Sequence, residues 1–337
     1  AGFHVVLPRG PCSRVHRGDR AVSEPIGILA ILGATATGKS ALAVAVAERL
    51  GGEVISADAF AAYRGFDVGT AKPSAEERAR VPHHLVDVKE PHEPFSAGEF
   101  ASNARRIAEE ILSRGRLPIL CGGTGFYVHA FFEGLFEGPG RDEPLRAALT
   151  AVAGRRGVPF LVKMLSLLDP EGASRVLPND AARAIRLLEI LLLSGRRPTD
   201  LFRDRPGERW QRPAVKVLLT LPREALAARI EKRFEKTMKN ALPAEVSRLL
   251  EAGVRPESPA FLAIGYRETV TRLEGRLSVS EWEEAVKRNT RRFAKRQESW
   301  FRRERNLLSI RADDPGLIDS VTRAARDLFA DGKGRGR

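Results

Sequence analysis

Cysteine is nearly missing from this chain: Cys12 and Cys121 are the two it has in 337 residues. Two thiols that far apart in sequence make neither a metal-binding cluster nor a disulfide framework. Cys121 closes an apolar run and reads as a small core residue. No apolar run approaches the roughly 18 residues that a membrane-spanning helix needs, so no membrane partner is expected. Apolar stretches such as those at 26–32 and 119–121 are strand-sized. No secretory apolar region is visible, which makes the cytoplasm the expected location. Internal repeats and coiled-coil heptads are also missing. Residues 1–24 have no periodicity and read as a disordered tail or an artefact of the start site. Residues 326–337, rich in Gly, Lys and Arg from Gly332 onward, read as a flexible tail.

What is present suits a folded protein with one large domain and a smaller one. Hydrophobic residues make up 43%, and 56 Lys and Arg stand against 43 Asp and Glu, a formal net charge of +13. That surplus favours a polyanionic partner; a basic solvated surface is the alternative reading.

Along the chain, a buried-strand run at 26–32 leads into Gly33-Ala34-Thr35-Ala36-Thr37-Gly38-Lys39-Ser40, and Ala and Leu then recur at helical spacing over 39–50. Further strands are expected at 53–56, 85–88 and 117–121, with a helix over 96–113 that opens on a capping box of Ser96 and Glu99. Such alternation predicts an α/β fold with a mostly parallel sheet around a P-loop NTPase-like core. From 141 to 208 the pattern turns all-helical, with helices at 143–152, 159–168 and 180–193, and predicts an inserted helical domain. Residues 25–140 and 209–325 are then the two parts of the core. The second part holds a strand at 215–220, helices at 223–239, 243–251 and 279–305, and a last strand at 307–310.

The segment Gly33–Ser40 matches a phosphate-binding loop in its strand–loop–helix context. Its glycines let backbone N–H groups wrap phosphate oxygens, Lys39 adds a point charge, and the Ser40 hydroxyl can ligate Mg²⁺. Gly33, Thr35, Ala36, Thr37, Gly38, Lys39 and Ser40 are therefore the expected diphosphate-binding set. The motif does not specify ATP. The strand at 117–121 runs into Gly122-Gly123-Thr124, where an ATPase usually carries a second acid, and this weakens the kinase and ATPase readings. Asp58, just beyond the second strand, stands at the sheet edge where ligands bind; a turn-forming Asp is the equal alternative.

From 27 to 300 the chain resembles the tRNA dimethylallyltransferase family, also called tRNA isopentenyltransferases. The likeness rests on ordered blocks: Gly33 through Ser40; Asp58 and then Gly69-Thr70-Ala71-Lys72-Pro73; Pro82-His83-His84-Leu85-Val86-Asp87; Phe95 through Phe100; Gly122-Gly123-Thr124-Gly125-Phe126-Tyr127; Asn179-Asp180 with Arg183 and Arg186; Arg229 and Arg233; Ile264-Gly265-Tyr266-Arg267-Glu268; and 289–297. There are departures. Asp58-Ala59-Phe60-Ala61 stands where the family often has Asp-Ser-x-Gln, Ala34 replaces a usual proline, and Arg186-Leu187-Leu188-Glu189 replaces Arg-Ala-Leu-Glu. A zinc finger found in some eukaryotic relatives is excluded by the lack of cysteines.

The resemblance implies a reaction: transfer of the dimethylallyl group from dimethylallyl diphosphate to N6 of the adenosine 3′ to the tRNA anticodon, with Mg²⁺ as cofactor and a monomeric enzyme. It assigns Asp58 as the base, Thr124 to the donor's bridging oxygen and Arg233 to the diphosphate. A strand-end cap and an exposed helix arginine are the plain alternatives for the last two. It places Ala59, Phe60, Ala61 and Lys72 beside Asp58 against the anticodon stem-loop. Arg183 and Arg186 of the insertion, and Gly265, Tyr266 and Arg267, join them. Arg288, Arg292 and Arg296 share one helix face at four-residue spacing; a solvated basic stripe is the alternative. Phe293 and Trp300, between the charges, read as packing residues. The rival functions are a prenyltransferase acting on free AMP or ATP, a nucleoside or nucleotide kinase, and an RNA-binding protein with a relict loop.

Overall fold

The computed structural model describes residues 25–204 and 207–329; the expected tail at 1–24 and residues 330–337 lie outside the described residues. The first half alternates strand and helix: β1 (Ile28–Gly33), α1 (Lys39–Leu50), β2 (Gly52–Ala57), α2 (Ala75–Arg80), the short β3 (His83–His84), α3 (Ala97–Ser113), β4 (Leu117–Gly122) and α4 (Gly125–Glu133). Five helices follow without a strand: α5 (Glu143–Arg156), α6 (Val158–Leu168), α7 (Pro170–Ser174), α8 (Ala181–Ser194) and α9 (Pro198–Asp204). Then come β5 (Ala214–Thr220), α10 (Arg223–Arg233), α11 (Lys239–Glu251), α12 (Tyr266–Leu273), α13 (Val279–Phe301), β6 (Leu307–Arg311) and α14 (Leu317–Ala325). All strand pairs are parallel, in the order β3-β2-β4-β1-β5-β6.

The three central strands β1, β2 and β4 are buried at every position, because helices cover both faces of the sheet. Alternate residues of β1 serve the two layers. Ile28, Ala30 and Leu32 pack with Phe100, Ile107, Ile111 and Phe131 of α3 and α4. Leu29 and Ile31 pack with Leu42 and Val46 of α1 and Val321 of α14. The inserted helices close on a separate apolar cluster around Leu149, Leu161, Leu165, Leu187 and Leu188. A third helical body was not expected from sequence: α11, α12 and the first half of α13 pack around Phe66, Phe234, Phe261, Tyr266 and Trp282, with the loop after β2 as part of the cluster.

Several boundaries differ from expectation. Residues 85–88 form no strand, because Leu85 and Asp87 adopt φ of 60° and 55° and turn the chain. The helices expected at 223–239 and 243–251 run together: a π turn at Phe234–Met238 joins α10 to α11, and Pro243 lies inside α11. The last long helix stops at Phe301. At α3 the Ser96 hydroxyl caps Glu99 N at 3.1 Å, but the Glu99 carboxylate is drawn to Lys89 at 2.8 Å, so only half of the capping box forms. The expected tail is ordered as far as Phe329: Leu328 is buried, its carbonyl accepts from Ile26 N, and Phe329 pairs with Pro25.

Candidate active site

From β1 the chain crosses to β2 on one side of the sheet, whereas β4 leads on to β5 at the other side of β1. The carboxyl ends of β1 and β4 therefore border the crevice that this topology leaves open to ligands. A cavity of about 530 Å³ opens there. Its polar wall holds Thr35, Gly38, Lys39, Ser40, Asp58 and Arg233. Phe60, Ala61, Leu262, Ala263 and Ile264 form an apolar wall, and α13 adds Thr290, Phe293, Arg296 and Gln297.

The glycine loop is held from three sides. Thr37 Oγ1 donates to the Ala34 carbonyl at 2.8 Å, and Lys39 Nζ donates to the same oxygen at 3.2 Å. Arg229 Nη1 donates to the Thr37 carbonyl at 3.2 Å, and Arg233 Nη1 donates to Thr35 Oγ1 at 3.0 Å. The first amides of α1 have no carbonyl one turn earlier to bond and remain available to a ligand. Burial pushes the Lys39 ammonium below its ordinary pKa, against the opposing pull of Asp58. Burial also lowers the pKa of the Arg233 guanidinium. Two cations whose charge the protein disfavours, set in one cavity, are relieved by an anion. Burial raises the Cys121 thiol to about 11, so it stays neutral and plays no nucleophilic part.

Asp58 stands at the carboxyl end of β2. Its Oδ1 accepts from Phe60 N at 2.9 Å and Ala61 N at 3.3 Å. Both readings offered for it from sequence are therefore realised at once: it forms a turn, and it faces the cavity. Thr124 lies beside the cavity rather than in its wall, and its hydroxyl accepts from Ala59 N at 3.2 Å, tying β4 to the Asp58 segment.

A residue outside the expected site set joins these parts. Gln297 is 5% exposed; its Oε1 accepts from Thr35 N at 2.8 Å and its Nε2 donates to the Gly123 carbonyl at 2.8 Å. Close approach is possible because residue 123 has no side chain: a Cβ there would stand 2.3 Å from Gln297 Nε2. An amide directly after the basic residues of 291–296 is the one local feature that sets Gln297 apart in sequence. Gln297→Leu is expected to orphan both backbone partners, lowering stability by about 2 kcal/mol and raising KM for an anionic donor more than for the acceptor. Urea unfolding and separate KM determinations would check this; unchanged stability would remove Gln297 from the frame.

Of the residues expected at the nucleic acid, Asp58, Phe60 and Ala61 line the cavity and Ala59 is tied to Thr124; the others divide into two groups. Arg183, Arg267, Arg288, Arg292 and Arg296 are exposed. Whereas Lys287 and Arg291 reach Glu231, no ion pair is formed by Arg288, Arg292 or Arg296 among the described residues. Lys72, Gly265 and Tyr266 face inward, which corrects their reading as presented contacts, whereas Arg186 is partly exposed with its guanidinium engaged within the insertion. The Lys72 side chain is 2% exposed, and its ammonium holds Asp87 at 2.5 Å and Asp67 at 2.6 Å. Arg186 holds Glu189 at 2.5 Å and the Pro139 carbonyl at 2.8 Å. Tyr266 is fully buried; its hydroxyl donates to Glu245 at 2.5 Å and accepts from Gly69 N at 3.1 Å. Gly265 is the buried N-cap of α12.

Comparison with known proteins fits this geometry. The protein-family model described as IPP transferase matches residues 61–304, and that described as isopentenyl transferase matches residues 26–89. The tRNA dimethylallyltransferase of Geobacter metallireducens is 42% identical over 303 residues, covering 88% of this chain and 96% of its own. That of Anaeromyxobacter dehalogenans is 45% identical over 283 residues, covering 84% and 94%. A crystal structure of the full-length tRNA isopentenylpyrophosphate transferase of Bacillus halodurans superposes with a TM-score of 0.65 at 38% identity, covering 89% of this chain and 97% of that one.

Proposed function

The chain belongs to the tRNA dimethylallyltransferase family, and from that premise we propose that it moves the dimethylallyl group of dimethylallyl diphosphate onto N6 of the adenosine 3′ to a tRNA anticodon, releasing diphosphate. The observation that carries the reading is one cavity holding Lys39, Arg233 and Asp58, with the exposed Arg296 of α13 in its wall.

On this reading the loop, β1 and α1 form a P-loop core used for a diphosphate rather than for ATP hydrolysis. The scissile C–O bond puts negative charge on the departing diphosphate, and Lys39, Arg233 and the first amides of α1 stabilise it. Ser40, an exposed residue, adds a hydroxyl to the same wall. That fits Mg²⁺, which takes one or two protein oxygens and completes its shell from phosphate and water. When bound, the ion would neutralise diphosphate charge. Phe60, Ala61, Leu262 and Ile264 give the isoprenoid tail an apolar surface and keep water from the allylic carbon. The adenine N6 lone pair is delocalised into the ring. The Asp58 oxygen not used in the turn takes the N6 proton as the C–N bond forms. Thr124 holds the Asp58 segment through Ala59 N and stands beside the departing oxygen.

The test is incubation with radiolabelled dimethylallyl diphosphate, Mg²⁺ and unmodified tRNA, with AMP and ATP as parallel acceptors. Label at the adenosine 3′ to the anticodon is expected. Label in AMP or ATP alone would make the protein a free-nucleotide prenyltransferase. Phosphoryl transfer without label would return the kinase reading.

Binding of the anticodon stem-loop is expected to weaken steeply with salt. Replacing Arg288, Arg292 and Arg296 together by alanine should flatten the slope of log K against log[salt] by about 2, at roughly 0.7 for each single-strand phosphate that is no longer neutralised. A slope unchanged from that of the unaltered protein in a salt titration would make the stripe a solvated surface.

A further inference from the structure

Arg288, Arg292 and Arg296 recur every fourth residue along α13, and the next member of that series is Trp300. Helical spacing favoured packing for this indole, yet it is 41% exposed, and Phe126 beside it is 48% exposed. The two rings meet edge to face, with centroids 6.1 Å apart and planes at 71°. Trp300 is also seated on the turn that carries Thr124. A Cβ on Gly125 would stand 2.2 Å from Trp300 Cδ1 and 2.4 Å from Cγ, so a residue without a side chain is needed where the ring rests. The platform is thus braced by Gly125, partly open to solvent, one helical turn from the cavity-lining Arg296, and next to the threonine that holds the Asp58 segment.

An exposed aromatic pair of this kind marks a binding surface, and the unpaired arginines on the same helix face define the charge of what binds. A target base that enters a cavity must leave its stack, which strips a neighbouring base of its partner. An aromatic ring at the mouth replaces that partner without reading sequence. Resting on the tRNA reading above, we propose that Trp300, braced by Phe126 and Gly125, is the stacking platform for one base of the anticodon loop other than the target adenosine.

The test uses the full chain and synthetic unmodified anticodon stem-loops. Trp300→Ala is expected to weaken stem-loop binding about tenfold, and Trp300→Phe to restore most of it. The Kd for dimethylallyl diphosphate alone should be unmoved. Each loop base other than the target is then replaced in turn by an abasic nucleotide. At one position the unaltered protein and the alanine variant should bind alike, because the stacked base is already gone. Phe126→Ala, which leaves the indole in place, should show a smaller loss that vanishes at the same position. It carries the test if Trp300→Ala does not fold. Binding by Trp300→Ala within about twofold of the unaltered protein, or a penalty that persists on every abasic stem-loop, overturns the proposal. Failure of the unaltered protein to prenylate any stem-loop would instead overturn the underlying function.

Discussion

Asp58→Asn is expected to cut the single-turnover rate of prenyl transfer by roughly 10²–10⁴-fold, the usual worth of a positioned general base, while the Kd for tRNA stays near that of the unaltered protein. The geometry makes asparagine a clean probe. Its amide oxygen can still accept from Phe60 N and Ala61 N, the bonds that Asp58 Oδ1 makes at 2.9 Å and 3.3 Å, so the turn and the apolar wall it positions survive. What disappears is an oxygen able to take a proton from N6. Asp58→Ala would lose the turn as well, and its effect would mix chemistry with the displacement of Phe60 and Ala61. Rapid-quench measurement with saturating donor, set beside filter binding of tRNA, separates the two quantities. Near-normal turnover in Asp58→Asn would remove the base from the mechanism and leave Asp58 as a turn residue.

Lys39→Met is expected to lower kcat about 10²–10³-fold, comparable to deleting one preorganised donor to developing negative charge, without loss of folding stability. The two halves of this prediction have one cause. Burial holds the Lys39 ammonium below its ordinary pKa, so its charge is a cost to the folded state in the absence of an anion. For a base with a lowered pKa that cost is fully present below the folded-state pKa, and it fades as the pH rises from there towards the ordinary lysine value. Methionine has nearly the same length and no charge, so the cost is removed together with the stabilisation of the leaving diphosphate. Steady-state kinetics and thermal unfolding without donor check both halves. An unchanged kcat would turn Lys39 into a structural partner of the Ala34 carbonyl, its contact at 3.2 Å, and a large drop in Tm would show that its charge serves the fold.

Much of the site was legible in the sequence because it is built from local motifs at strand ends. The loop from Gly33 to Ser40 can do its work only between a strand and a helix, and both flanks carry the right periodicity. The exposed stripe of Arg288, Arg292 and Arg296 follows from four-residue spacing alone. Arg233 became a site residue through resemblance; by pattern it was one arginine among several on α10. Lys72 and Tyr266 lie in recognisable blocks, but their side chains turn inward, to Asp67 and Asp87 and to Glu245. Membership of a motif does not say which way a side chain faces. Gln297 was missed as a site residue for the same reason from the opposite side. Its partners Thr35 and Gly123 are 262 and 174 residues away in sequence, and no periodicity encodes such a bond.

The sequence by itself determined the alternating parallel core, the helical character of the insertion, the phosphate loop and the basic face of the last long helix. Each depends on residues within a few turns or one strand of each other, and hydrophobic periodicity and backbone permissiveness act over that range. Only the tertiary structure decided that α11, α12 and half of α13 form a third body around the loop after β2. It alone brought Arg233 and Gln297 to the mouth of β1, and it alone left Trp300 open beside Thr124. Those placements are set by how whole elements pack. Packing depends on complementarity between surfaces distant in sequence, and a single chain read in order does not contain that information locally.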